Sequence, residues 1–174
     1  MATLGHVAVG LAAARWSSTL EDRAASRRRD AVLLAGLALL PDADVVAFAF
    51  GVPYAAPFGH RGAAHSLLVG ALVGVAAGWI WRRPRFGVAA AIATMSHGLL
   101  DAVTDGGLGI ALLWPFTDAR FFFPWHPLPV APIGVGMLSL RGLHVLGVEL
   151  VIFSPLWIYA AWPRRCTGTL APPS

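Results

Sequence analysis

Charge is what this sequence has least of: 13% of its 174 residues are charged, about half the share of a soluble domain. With 57% hydrophobic residues and a mean hydropathy of +0.67, that scarcity excludes an ordinary water-soluble fold and predicts an integral membrane protein. Cysteine is nearly missing as well. A single Cys166 excludes an internal disulfide and any zinc site built on thiolates. Lysine is absent altogether. All 13 basic residues are arginines, and they flank apolar runs instead of forming a patch interleaved with aromatics. The formal net charge of +4 therefore does not point to nucleic acid. No basic region with a small-residue cleavage site precedes the first apolar stretch, so no cleavable signal peptide is expected. There is no internal repeat and no low-complexity tract, and the length predicts one domain, 1–174.

What is present is a succession of apolar segments. Residues 1–15 form a short one, below the roughly 20 residues a membrane crossing needs. Four longer segments follow, at 31–50, 65–81, 86–104 and 143–162. The pattern predicts an all-α, multi-pass bundle of four spans plus a short N-terminal apolar helix. Pro41 is expected to break the first span, because proline lacks a backbone donor, and such breaks survive in membranes only when buried in protein or lining a cavity. The 106–141 connection is rich in Pro and aromatics (RFFFPWHP at 120–127), which suits the membrane–water interface. Ten arginines fall at one set of segment ends, among them Arg164 and Arg165, against Arg61, Arg120 and Arg141 at the other. By the positive-inside rule the ten face the cytoplasm. The opposite, outer side then gathers His6, His60, His65 and Asp105, with Asp42, Asp44, His97 and Asp101 in the outward halves of their spans.

Those polar groups are the chemistry of the chain. His97 and Asp101 are four apart and share one helix face, with Asp105 one turn further. Two metal ligands can close on one cation at that spacing, as the two histidines of an HExxH helix do. Of nine acidic residues, five (Asp42, Asp44, Asp101, Asp105, Glu149) lie in apolar segments. Each would cost about 2.5–3.5 kcal/mol if buried alone in hydrocarbon. Several together repel one another unless a cation neutralises them. Imidazole with carboxylate is the ligand set of hydrolytic zinc sites and their manganese relatives. Asp42 and Asp44 divide between ligand and helix cap, and Asp42, Asp44 or Asp105 would orient or deprotonate a water. Arg61, beside His60, has the guanidinium fork that suits a phosphate. His126 and His144 read as interfacial or packing residues, and Glu149 as intermediate.

PDAD at 41–44, HRGAAHS at 60–66, SHGLLDAVTDGG at 96–107 and LWPF at 113–116 together resemble the YdjM-like family, described as LexA-regulated, membrane-bound metal-dependent hydrolases. The resemblance implies a metal site of His60, His65, His97 and Asp101 with Asp42 or Asp44. The order of these motifs is also similar to the zinc-dependent phospholipase C and P1 nuclease group, which would bring His6 into a multinuclear site. His144 and Glu149 are five apart and do not supply that group's second HxxxE, so no third metal is expected.

The reading is a hydrolase of the bacterial inner membrane with its site at the outer interface. Its metal ligands are His6, Asp44, His60, His65, His97 and Asp101, holding zinc, with manganese as the alternative. Asp42, Asp105 and Arg61 take catalytic roles. The bilayer is the partner and an ester or phosphoester of a lipid the substrate. The rivals are a metal- or proton-translocating carrier using the same acids as a relay, and a non-catalytic metal-binding membrane protein.

Overall fold

A computed structural model of the chain describes residues 3–19, 22–132 and 134–163. Arg164, Arg165 and Cys166 lie outside the described residues. The fold is all-helical: α1 (Thr3–Ser17), α2 (Ala24–Leu39), α3 (Leu67–Ile80), α4 (Pro84–Ala102), α5 (Leu140–Ile152) and α6 (Ser154–Ala161). Among the described residues, β pairing is limited to isolated bridges, Thr104 with Leu128 and Ile110 with Phe121. Local sequence sets the helix starts. Ser66 accepts the Val69 N–H at 3.1 Å to open α3, Ser139 accepts the Gly142 N–H at 3.2 Å to open α5, and Pro84 sits in the first turn of α4, where a missing N–H costs nothing.

The packing inverts that of a water-soluble protein. The principal core holds Ala13, Ala14, Ala38, Ala77, Ala89, Ala90 and Ala93, with Leu34 and Phe86 as its only large members. The large apolar side chains point outward instead: Val32 is 73% exposed, Val75 70% and Trp79 81%. Small residues inside let backbones approach closely, which is how helices associate when lipid is the solvent. A Cβ on Gly74 would stand 2.8 Å from the Ala91 backbone, and one on Gly87 would stand 2.7 Å from the Gly78 Cα. Helices α3 and α4 therefore meet almost backbone to backbone. The N-terminal helix is central, packed against α2, α4, α5 and α6.

The expected interruption at Pro41 is a change of pitch. Helix α2 runs straight on into a 3₁₀ segment, Leu40–Phe50, with Pro41 in its first turn. The continuous Ala24–Phe50 stretch of 27 residues, mean hydropathy 1.9, is the one described helix long and apolar enough to cross a membrane alone. Helices α5 and α6 pass that measure only as a pair, bent by 63°, and α3 is shorter. The four apolar segments are thus helical, while length by itself marks one span, or two with the bent pair.

The two ends of the bundle differ. At one, the 1%-exposed Asp30 accepts from Arg83 Nη1 at 2.6 Å, tying the start of α2 to the α3–α4 turn. At the other, the N-terminus of α1 and the C-termini of α2 and α4 converge. Arg29 Nη2 stands 3.4 Å from Oδ1 of the same carboxylate, so Arg83→Ala would leave Asp30 with only that longer contact and should lower stability by about 1–3 kcal/mol. The double change Asp30→Leu with Arg83→Leu should recover most of it, as read by denaturant unfolding in detergent micelles.

Candidate metal centre

Helix periodicity puts His97 and Asp101 on the same inner face of α4, both fully buried. Opposite them, the tight 3₁₀ turn after Pro41 turns Asp42 toward α4. His65 comes from the short turn Ala63–His65 just before α3. This turn lies hard against α4, and a Cβ on Gly98 would fall 2.2 Å from the His65 carbonyl oxygen. Asp42, His65, His97 and Asp101 each offer one ligand atom within 4.8 Å of all the others. Asp42 Oδ1 is 3.2 Å from His97 Nε2 and 3.5 Å from His65 Nε2, and Asp101 Oδ2 is 4.0 Å from His97 Nε2 and 3.8 Å from His65 Nε2. Ligands about 2.0–2.1 Å from a tetrahedral cation stand roughly 3.3 Å apart, so these separations fit a shared ion.

The protonation pattern fits too. His97 Nδ1 stands 2.7 Å from the Ala38 carbonyl oxygen. A carbonyl only accepts, so Nδ1 carries a proton, and Nε2 is the nitrogen that faces Asp42 and Asp101, where it could offer a lone pair to an ion. His65 Nε2 and His97 Nε2 are buried and make no hydrogen bond. Lone pairs of imidazole and carboxylate facing one another demand a positive charge between them.

A second group adjoins the first. Asp44 stands 2.6 Å from His60 Nδ1 and 3.1 Å from His65 Nδ1, and Asp44, His60 and His65 form another set able to hold an ion. The Arg61 N–H also donates to Asp44 Oδ2 at 3.1 Å. Asp42 sits in the inner group and Asp44 in the second, where its carboxylate also ties His60 and His65 together. His6, fully buried, stacks on His97 at 3.7 Å between ring centroids and brings Nε2 to 3.4 Å from Asp101 Oδ1.

Arg61 is 1% exposed. Its Nε is 3.2 Å from Asp101 Oδ2, Nη2 donates to Thr104 Oγ1 at 3.1 Å, and Nη1 to the Gly106 carbonyl at 2.5 Å. The guanidinium fork is turned onto the protein's own groups, so a free phosphate clamp at this residue is not what the structure contains. With φ at +63°, Arg61 occupies a region that costs of order 1–3 kcal/mol, held there by those contacts. Asp105 is not brought to the cluster: it is exposed, and its Oδ1 accepts the Val130 N–H at 2.6 Å. His126 packs edge-on to Phe122, and His144 is exposed.

Several positioning residues escape sequence reasoning. Thr104 bridges Arg61 to the Asp101 carbonyl, which its hydroxyl reaches at 2.7 Å. Arg120 donates to the carbonyls of Tyr54, Ala56, His60 and Gly109 and so staples the 54–60 loop. Glu149 accepts the Leu4 and Gly5 N–H groups at 2.7 and 3.2 Å, fixing the start of α1 and with it His6. Thr104 stands inside the SHGLLDAVTDGG motif, the signal that could have marked it. Arg120 carries no comparable signal, and Glu149 stands out only as a carboxylate in an apolar segment, its partners Leu4 and Gly5 leaving no local trace.

Known proteins resemble this chain over most of its length. The sequence model of a family described as YdjM inner membrane protein matches residues 1–165, well past the motifs, which end at 116. The Escherichia coli (strain K12) protein called inner membrane protein YbcI is 40% identical over 136 residues, covering 74% of this chain and 76% of its own length. No solved structure matches.

Elemental analysis of purified protein tests the ligand set. Asp42→Ala, His97→Ala and Asp101→Ala should each abolish bound metal. Asp44→Asn, which disturbs only the orientation of His60 and His65, should weaken affinity about 10–100-fold. Asp118→Ala, at an exposed loop position away from the cluster, should retain the full complement. Wild-type metal content in His97→Ala would remove this cluster as the binding site.

Proposed function

The chain belongs to the YdjM inner membrane protein family, and from that premise and the site's geometry we propose that it is a metal-dependent hydrolase of the bacterial inner membrane. Asp42, His65, His97 and Asp101 would hold a divalent cation, zinc or manganese by donor type. The observation that carries the reading is the unsatisfied convergence of His65 Nε2 and His97 Nε2 on two buried carboxylates. A cation held there would supply Lewis acidity, polarising a carbonyl or phosphoryl oxygen.

The remaining residues supply the rest of the chemistry. Asp44 holds His60 by Nδ1, leaving Nε2 to move a proton to or from the reacting groups. Asp105, held to Val130, gives up the catalytic role expected of it. Arg61 offsets the charge of Asp101 and keeps that carboxylate in place. Phe48 and Tyr54 flank His60, at 6.2 and 5.2 Å between ring centroids, and make an apolar approach to the site.

A lipid ester or phosphoester is the substrate class we favour. An apolar recess of about 320 Å³ lies at the same end of the bundle, lined by residues that include Leu67, Leu99, Ala102, Leu113, Phe121 and Phe123, and suits an acyl or prenyl chain. The distribution of polar groups favours an enzyme over a carrier. The buried carboxylates cluster at one end, and Asp30 at the other is taken by Arg83. Between them the core is mostly alanine, with no relay of ionisable groups among the described residues. The four-span, outward-facing topology is part of the same proposal.

Metal-loaded protein in mixed micelles with a panel of membrane lipids should release headgroup or phosphate in an EDTA-sensitive reaction. His60→Ala should slow it by about 10²–10⁴-fold with metal content unchanged. Turnover of a water-soluble ester alone, with none across the lipids, would sink the lipid reading and leave the metal site standing. For topology, Asp118→Cys in a variant lacking Cys166 should react with a membrane-impermeant thiol reagent from the outer side. Labelling only from the cytoplasm would reverse the orientation.

A further inference from the structure

We propose that the arginine-rich end of the bundle, opposite the metal centre, carries a binding site for an anionic phospholipid, seated in the cavity between α1, α2 and α6. The cavity holds about 360 Å³, and its lining combines two kinds of surface. Leu11, Ala31, Trp157 and Ala160 make apolar walls, while Arg15 and Arg27 stand at its rim. That division matches a lipid, with an acyl chain along the walls and a phosphate at the rim.

Both arginines are held in position. Arg15, in the last turn of α1, donates from Nη1 to the Trp162 carbonyl at 2.5 Å and lies over the Tyr159 ring at 5.1 Å. Arg27, in the first turn of α2, donates to the Asp22 carbonyl. The surrounding charge has one sign. Among the described residues this end carries eight arginines (15, 23, 27, 28, 29, 82, 83 and 85) against Asp22 and Asp30, and the buried Asp30 is engaged by Arg83.

A zwitterionic lipid would bring an ammonium into this field as well as a phosphate, and the repulsion of the first would offset the attraction of the second. An anionic headgroup would be attracted, by about fivefold in affinity for each arginine close to the surface. A free phosphate would use the arginines and leave the apolar walls unfilled. The site requires only that the protein be embedded in a bilayer, and is independent of any reaction at the metal centre.

Trp157 reports on the cavity. The full chain is reconstituted in phosphatidylcholine vesicles containing brominated phosphatidylglycerol or, separately, brominated phosphatidylcholine. The Trp157 signal is the difference between wild type and Trp157→Phe. At equal mole fraction the brominated phosphatidylglycerol should quench that signal more strongly. Arg27→Gln should reduce the preference about fivefold, and Ala31→Leu, which fills the cavity without touching charge, should reduce it as well. Arg85→Gln, at the same end but outside the cavity, should leave it in place. Equal quenching by the two lipids would overturn the proposal. So would equal losses in Arg27→Gln and Arg85→Gln, which would mean diffuse attraction, or relief of quenching by excess inorganic phosphate, which would make the ligand a free anion.

Discussion

Two imidazole nitrogens facing two carboxylates in a dry interior are the constraint on which the rest of this structure depends. Neither group can release the other by moving: His97 is fixed through Nδ1 to the Ala38 carbonyl, and Asp101 is fixed through Arg61 and His6. Burial removes the water that would otherwise separate like-signed lone pairs. What remains is a demand for positive charge at one place, which a divalent cation meets with the fewest rearrangements. The surrounding order follows from that demand, including an arginine kept in a left-handed backbone conformation to offset charge beside the ligands.

The bundle makes such convergence attainable by keeping its interior small. The clustered side chains arrive from α1 (His6, stacked on His97), from the 3₁₀ segment, from the loop before α3 and from the end of α4, so all four must approach within a few ångströms. Alanine and glycine at the contacts permit this, and the bulky residues displaced from the core cover the outside. In water that arrangement would expose too much apolar surface. In lipid it incurs no such penalty, so the membrane setting and the compactness of the site are linked.

How much of this was legible in the sequence varied residue by residue, for physical reasons. His97 and Asp101 were legible because helical periodicity alone puts positions four apart on one face. The clustering of His60 and His65 with them followed from burial energetics, since isolated carboxylates in apolar runs call for partners. The division of labour between Asp42 and Asp44 was not legible. It depends on the 3₁₀ pitch after Pro41, where two positions' separation points the side chains to different neighbours. Asp105 extends the same helical pattern on paper, but α4 ends at Ala102, and its carboxylate turns to Val130. Arg61 next to His60 read as an open fork, while its true partners, Thr104 and Gly106, lie more than 40 residues away in sequence. Tertiary partners at that distance leave no local trace.

Glu149 has a consequence for the order in which the molecule comes into being. Its carboxylate grips the first turn of α1 across 145 positions, and α1 carries His6 to its place over His97. Helix α1 therefore lacks this anchor until α5 has been synthesised and has packed against it. During synthesis the nascent chain holds most of its acidic and imidazole groups before the clasp that orders them has been translated. The finished centre belongs to the whole chain, and a pause late in translation leaves it unlatched.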